Sequence, residues 1–444
     1  MAERPPPVNA IPAAVPSAFS AGTSYTQRMV FRAVPALLLT ASLHGQTAPD
    51  PADILAHARY QIVAAMQRLP KYACVQTIDR SYYVRHAAQD SCDQIAADQR
   101  RGRTELRLHV TDRVRLDVAQ GDGQENHSLP GADRFETGDI DELIKRGPAA
   151  TGSIGGYLID IFDGESAQFD FAGERVRSDR HVFTYAYRVP ELTSHYKVRT
   201  GEGWAIAAYD GTFDVDTATL ELLRITINTA QLPQATGMCQ AETALVYSRV
   251  RLGDEDFLLP TKSRLHLVHP GTLQTDSDSA FTSCREYRPD ASAAPEPKRG
   301  AALPPGILIK LRFDAAIDSN TSAAGDPVTA TVTGDTGVPN GVLRSGAVAH
   351  GRVTRTEHWL FPKPQFIVGI LWESITWGDS SIPFAALPAP PDGQVSQPPG
   401  VGRLIPARLP AYRIANETLL LSTEKRFLIP AGEERRWITV SRLK

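Results

Sequence analysis

The chain is short of the features that announce a chemistry. No His-Glu-x-x-His, Gly-x-Ser-x-Gly, phosphate-loop or dinucleotide-binding pattern occurs in its 444 residues. That removes sequence support for zinc-peptidase, serine-hydrolase, nucleotide and nicotinamide chemistry. Charge of one sign is lacking too. The 47 Lys and Arg stand against 50 Asp and Glu, a formal net charge of −3, so bulk attraction supplies no nucleic-acid partner. Cysteine is scarce: Cys74, Cys92, Cys239 and Cys284 include no Cys-x-x-Cys spacing, which leaves redox and zinc motifs without support. An even set reads as two disulfides in an exported chain, and as buried free thiols in a cytoplasmic one. Of the three pairings, Cys74–Cys92 with Cys239–Cys284 is favoured, although simple hairpin registers put an intervening strand between the second pair. A long hydrophobic run is also missing. The apolar stretch Ala33–Leu43 is too short for a stable membrane span.

What the chain does have begins with that stretch. Residues 1–28 are rich in Pro, Ala and Ser and read as a disordered or mis-assigned leader. Residues 29–48 then read as a signal peptide: Arg28-Met29-Val30-Phe31-Arg32, an apolar core and a small-residue exit near Gly45–Ala48. Met29 as the initiator accounts for the odd leader, and the alternative is an apolar turn of an ordinary helix. The expected location is therefore periplasmic or secreted, with no membrane span in the mature protein. The whole chain is 42% hydrophobic and 22% charged, which fits two or three folded domains with a sizeable core.

Asp50-Pro51 is a helix start, Asp as cap and Pro at the first position. Ile54, Ala58, Ile62 and Met66 follow at helical spacing and Pro70 stops the run. From Tyr72 the texture is that of strands, interrupted by short helical patterns at Asp139–Lys145 and Ser153–Phe162. Further strands are expected at Ala167–Ala172, His181–Val189, His195–Arg199, Glu242–Leu252, Phe257–Val268 and Ser279–Tyr287. The most legible stretch is Trp204–Thr229. Tyr209, Phe213 and Val215 alternate with Asp210, Asp214 and Asp216, and Leu223, Ile225 and Ile227 alternate with Arg224, Thr226 and Asn228. A hairpin turning at Ala218 sets Phe213 opposite Leu223, Tyr209 opposite Ile227 and Thr212 opposite Arg224, so that the two apolar faces coincide.

These elements divide the chain into a sheet domain at 50–289, a Pro/Ala-rich linker at 290–306 and a C-terminal β domain at 307–444 with a Pro-rich loop at 386–413. The fold class expected is mainly β: a large antiparallel curved, half-barrel-like sheet with covering helices, linked to a second all-β sandwich or barrel.

Other candidate sites have plainer readings. Ser194-His195-Tyr196-Lys197 spells Ser-x-x-Lys, but on a strand the Ser and Lys point to opposite faces. Asp210, Asp214 and Asp216 share a face, yet same-face neighbours stand roughly 7 Å apart, too far for a calcium cage without loop ligands. His266 and His269 have no carboxylates at ligand spacing. Glu373 between Trp372 and Trp377 suggests sugar stacking with an acid, and Asp379 is a second carboxylate by proximity only. A glycosidase needs two placed carboxylates, so these tryptophans read as core or rim aromatics. No cofactor or metal is expected.

The segments GPAATGSIGGYLIDIFDGESAQFDFAGE, SHYKVRT, AYDGTFDVDTATLELLRITINTAQLP and FLLPTKSRLHLV…FTSCREYRP resemble a family of exported proteins of the acidobacterial type, over residues 50–290. That resemblance implies no activity. Its members carry a first Cys after a helix and a late Cys before Arg/His-Glu-Tyr, as Cys74 and Cys284 stand here. A leading helix, a wide antiparallel sheet and a Tyr-x-Gly-x-Phe-x-Val-Asp strand are similar to the half-open barrel of periplasmic lipoprotein carriers and RseB-type regulators. The run LRFDAAIDSNTSAAGDPVTATV…VLRSGAVAHGRV resembles β modules of envelope proteins, including TrbI-like conjugation proteins.

The function expected is a non-enzymatic protein of the cell envelope whose curved sheet holds a lipid, acyl chain or lipoprotein. Tyr209, Phe213, Leu223, Ile225 and Ile227 are the candidate lining, and a filled core on the same residues is the alternative. An envelope scaffold that docks a protein partner is the second reading, and a carbohydrate-active hydrolase the last.

Overall fold

A computed structural model of the chain describes residues 49–444 apart from 90, 122–123, 133–134, 136–139, 144–146, 148–157, 165–166, 178, 201–202, 230–231, 288–297, 339–340, 390–413 and 442–444. The expected leader and signal peptide, residues 290–297 of the linker and most of the Pro-rich loop lie outside the described residues. So does much of the helical pattern expected at Ser153–Phe162.

The first helix forms where its caps predict. α1 spans Pro51–Arg68, Asp50 accepts the Ala52 N–H at 2.9 Å, and Ala58 and Ile62 are its buried positions. The strands that follow are β1 (Tyr72–Gln89), β2 (Leu106–Gly121), β3 (Gln124–Ser128), β4 (Gln168–Arg177), β5 (Arg180–Val189), β6 (Lys197–Arg199), β7 (Trp204–Ile206), β8 (Tyr209–Asp216), β9 (Leu222–Thr229), β10 (Gln240–Leu252), β11 (Glu255–Val268) and β12 (Gly271–Glu286). Helix α2 (Cys92–Arg100) follows β1, where only strands had been expected.

The large sheet runs β4–β5–β8–β9–β10–β11–β12–β1–β2–β3, and every neighbouring pair is antiparallel. β6 and β7 pair only with each other. Chain order is kept from β4 to β12 except for that small hairpin, and β1 then closes on β12, the last strand. Helix α1 and the short helix Ile159–Asp163 pack on one face. There Ala58, Ile62, Ile161 and Phe162 meet Tyr185, Tyr187, Phe213, Ile225 and Leu245 in one apolar cluster.

The closure of β12 on β1 explains a correction. The disulfides are Cys74–Cys284 and Cys92–Cys239, not the favoured Cys74–Cys92 and Cys239–Cys284. β1 runs unbroken past Cys74 to Gln89, which puts roughly 50 Å of strand between Cys74 and the helix that starts at Cys92. Cys74 instead lies at a bulge where β1 pairs with the end of β12, between Ala73 opposite Arg285 and Val75 opposite Thr282. Ser283 takes a left-handed φ of 51° beside it. Cys239 precedes β10 and donates its N–H to Val268 at the far end of β11, the opposite end of the sheet from Cys284.

The C-terminal strands form a closed ring of antiparallel pairings. Leu308–Phe313 pairs with Pro327–Val332, which pairs with Val348–Trp359, then Gln365–Trp377, then Ser380–Pro383. The same segment continues into Ala386–Pro388, which pairs with Glu434–Thr439, and that strand returns to Leu308–Phe313. Phe313, Trp372, Phe384 and Trp437 fill the interior, with the Trp372 and Trp437 rings edge-to-face at 5.3 Å. Lys298–Arg299, in the expected linker, pairs with Ser380–Ser381. The barrel and the sheet also share a ladder, because His358 and Trp359 pair with Thr111 and Val110 of β2. Arg115 on β2 reaches both Asp326 carboxylate oxygens at 2.6 and 2.7 Å.

Candidate ligand-binding cleft

The hairpin β8–β9 keeps its two apolar faces together, but in a different register from the one expected. Phe213 stands opposite Ile225 and Asp210 opposite Asn228, each two residues on from the pairing that a turn at Ala218 gives. Asp216 caps the wider turn by accepting the N–H groups of Ala218 and Thr219, and Leu220 takes a φ of 59°. A bulge after Asp214 then brings Leu222 opposite Val215. Leu222, absent from the sequence-based lining, is fully buried, whereas Leu223 is half-buried and lies outside the core cluster. A bulge is not legible from alternation, since Leu222 and Leu223 are both apolar. Gly211 in β8 is required by close approach: a Cβ there would collide with the Thr226 carbonyl, which accepts the Tyr187 hydroxyl at 2.7 Å.

Tyr209, Phe213, Ile225 and Ile227 are all at most 3% exposed and packed into the cluster under α1. Phe213 meets Phe162, Phe169 and Tyr185 ring to ring at 5.0, 5.8 and 5.2 Å. Burial holds the phenols of Tyr187, Tyr209 and Tyr247 protonated well above the usual range, and pushes Tyr185 up to about 12. The structure thus gathers four of the five proposed lining residues into one filled patch.

Open space lies beside that patch. A cleft of about 900 Å³ runs between the C-terminal half of α1 and the sheet at β9–β11. Its walls include Ile62, Met66, Leu158, Leu222, Tyr247 and Leu259. Tyr60 and Ile159 stay 76% and 46% exposed at the same cleft. The rim is charged: Arg249 donates to Glu221 at 2.7 Å. Three ties fix the other part of the roof. Tyr185 donates to the Pro51 carbonyl at 2.7 Å, Arg59 to the Phe162 and Gly164 carbonyls at 3.2 Å, and the His195 ring lies 2.9 Å from Asp160.

The remaining candidates are occupied by local pairings. Asp214 accepts from Thr184 at 2.7 Å and lies 3.1 Å from Arg177. Asp210 lies 3.5 Å from the Asn228 amide. Ser194 donates to the Ala207 carbonyl at 2.6 Å. His266 lies 2.5 Å from Asp276, whose pKa is lowered first by that hydrogen bond, so this histidine does have a carboxylate partner, across the strand. Trp372 is in the barrel core, Trp377 is half exposed, and Glu373 lies 3.5 Å from Arg352. Among the described residues no three His, Cys, Asp or Glu side chains converge as metal ligands, and no helix is long and apolar enough to cross a membrane.

No protein-family model matches the chain, and no curated protein matches it. Among solved structures it is similar to a protein described as an outer membrane lipoprotein-sorting domain from Vibrio parahaemolyticus. That likeness has 10% identity and a TM-score of 0.26 over 52% of this chain and 90% of the other. It is also similar to a DUF1329 family protein from Desulfovibrio piger, with 8% identity and a TM-score of 0.27 over 55% and 96%. A third likeness is to a LolA superfamily protein from Nitrosomonas europaea, with 9% identity and a TM-score of 0.25 over 54% and 95%. At these TM-scores the likenesses carry no argument about function.

Proposed function

We propose that this chain is a non-enzymatic protein of the cell envelope that binds an apolar ligand, such as a lipid, an acyl chain or a lipoprotein anchor. The ligand lies in the cleft under the C-terminal half of α1. Tyr209, Phe213, Ile225 and Ile227 then form the floor that holds the roof in place, Leu222, Tyr247 and Leu259 back the cleft wall, and the partly exposed Tyr60, Met66, Ile159 and Leu258 take the direct contact. The observation that carries this reading is the cleft itself. Its volume of about 900 Å³ is within the range of small-molecule sites, which are mostly apolar and rimmed by few polar groups. Export agrees with the two disulfides, which persist outside the cytoplasm.

Titration with a fluorescent fatty-acid probe tests the reading. Wild type binds the probe, and Met66→Trp, which fills the cleft with an indole from its partly exposed wall, weakens binding about tenfold or more, as loss of buried apolar contact requires. Failure of the wild-type protein to bind overturns the proposal. Removal of the leader is checked by N-terminal sequencing of exported material, where a retained Met1 refutes the signal peptide.

A further inference from the structure

The inner face of the sheet changes character beyond the cleft. Three successive inward positions of β12 are Thr275, Ser277 and Ser279, and beside them stand Ser263 on β11 and Gln76 on β1. All five are at least nine-tenths buried. The ladders set Ser263 opposite Ser279, Ser279 opposite Ile78, and Ser277 opposite both Leu265 and Arg80. Gln76 donates to the Ser279 hydroxyl at 3.3 Å. The other polar atoms of the row, Gln76 Oε1 and the hydroxyls of Ser263, Thr275 and Ser277, have no hydrogen-bond partner among the described residues. Folded proteins leave few such atoms unpaired when buried, because each has lost water and gained nothing. Four on one face of three adjacent strands form a row of donors and acceptors with unused capacity.

The row adjoins the cleft. Tyr247, in the cleft wall, is two residues along β10 from Leu245, and Leu245 stands opposite Ser263. Neighbouring strands are about 5 Å apart and same-face residues about 7 Å, so Ser263 lies roughly 9 Å and Ser279 roughly 12 Å from Tyr247 in the cleft wall, within reach of a chain lying in the cleft. The row is electrically neutral. Its nearest cation, Arg80, is held by both oxygens of Asp112, from Nε at 2.7 Å and Nη2 at 2.8 Å. Hydroxyls and an amide suit a head group that both donates and accepts. At Ser263 and Ser277 a carboxylate or phosphate would meet no uncompensated positive charge, since the buried guanidinium of Arg85 lies beyond Thr275 on the carbonyls of His269, Gly271 and Leu273.

We infer that Ser263, Ser277, Thr275 and Gln76 form the polar half of the ligand site, which takes the neutral ester or amide head of an acyl chain held in the cleft. The inference rests on the cleft being a site for an apolar ligand. Displacement of the bound fluorescent fatty-acid probe by three competitors of equal chain length, a monoacylglycerol, an alkane and a free fatty acid, tests it on the full-length protein. The monoacylglycerol displaces the probe at least tenfold better than the alkane or the fatty-acid anion from wild type. In Ser263→Ala combined with Ser277→Ala, and in Ser277→Ala alone to a smaller degree, that preference falls while displacement by the alkane is unchanged. The free variants melt at the same temperature as wild type or higher, since each loses a hydroxyl that lacked a partner. Equal displacement by all three competitors from wild type overturns the inference and leaves the apolar site standing, with ordered water as the partner of the hydroxyls. Retention of the preference in the double variant also overturns it. Absence of probe binding by wild type removes the apolar site and the inference together.

Discussion

The ladder of the large sheet starts at β4 and stops at β3, two strands that do not pair with each other among the described residues, whereas the ladder that starts at Leu308–Phe313 comes back to itself through Glu434–Thr439. Closure decides what each interior can hold. A ring of six segments encloses a space that Phe313, Trp372, Phe384 and Trp437 fill, and small closed barrels have room for side chains only. An open sheet must borrow a cover. Here α1 and Ile159–Asp163 cover the β5–β10 side, and the cleft remains where α1 passes over β9–β11. The same alternating sequence pattern thus produces a packed body in one region and a partly vacant face in the other. The two regions also carry different optical groups. Four of the five tryptophans lie after residue 307, and eleven of the 13 tyrosines lie between 50 and 290, so each region is followed separately.

Reduction is the largest perturbation of this contrast. Both disulfides belong to the sheet region, and they close separations of 210 and 147 residues. Loss of a native disulfide commonly costs about 2–5 kcal/mol. Reduced protein is expected to lose the tyrosine-reported transition at a much lower temperature, while the tryptophan-reported barrel transition moves less. Equal shifts in both signals mean that the shared ladder at Trp359 and Val110 makes the two regions one cooperative unit.

The second perturbation goes the other way. Trp372→Ala empties the centre of the barrel, where Trp372 is 2% exposed and meets Phe313, Phe384 and Trp437. A change of this kind costs about 3–5 kcal/mol. Urea unfolding followed by tryptophan fluorescence is expected to show that loss, with probe binding in the cleft retained at temperatures where the sheet stays folded.

What could be read from the sequence differs between the two regions for physical reasons. Alternation exposed β8, β10 and β11, and the cap at Asp50 with Pro51 fixed the start of α1. The expected strands were too short wherever both faces are covered or polar. β12 was expected from Ser279 but begins at Gly271, because Gln274, Thr275, Asp276 and Ser277 are buried without being apolar. The same polarity concealed the hydroxyl row. The cleft was concealed by the bulge that brings in Leu222, and the disulfides by the return of β12 onto β1, a contact 210 residues apart that no local pattern announces. The hydrophobic set at Tyr209, Phe213, Ile225 and Ile227 was visible, but alternation reports burial and cannot say whether the neighbour is a ligand or a helix.

Alkali separates the regions by chemistry. Burial raises the pKa of Tyr185 to about 12 and those of Tyr187, Tyr209 and Tyr247 further, from an unfolded value near 10.0. A folded-state pKa above the unfolded one contributes stability that is complete below the unfolded value and is lost as pH rises through the folded one. The sheet region is therefore expected to weaken steadily above about pH 10. The ring-filling core of the barrel, built on Phe313, Trp372, Phe384 and Trp437, has no phenol to ionise. Tyrosinate absorbance rising together with loss of probe binding, ahead of any change in tryptophan fluorescence, is the expected order. The reverse order places the weak point in the barrel and removes the contrast.

The smallest expected effect bears on the roof of the cleft. Asp50→Ala deletes the side-chain acceptor for the Ala52 N–H, and loss of such a cap costs about 1 kcal/mol. The loss should appear in the sheet transition alone, because α1 makes its described contacts with Ile159–Asp163 and the sheet cluster. Its size tells how the roof is held. Pro51 is fixed from below by the Tyr185 hydroxyl at 2.7 Å, and Arg59 ties the middle of α1 to the Phe162 and Gly164 carbonyls. If these ties alone keep the helix in place, the cap is redundant and the change falls within a few tenths of a kcal/mol. A full loss of about 1 kcal/mol, accompanied by weaker probe binding, means that fraying at Asp50 propagates along α1 to Ile62 and Met66. The cleft wall is then only as firm as the first turn of the helix above it.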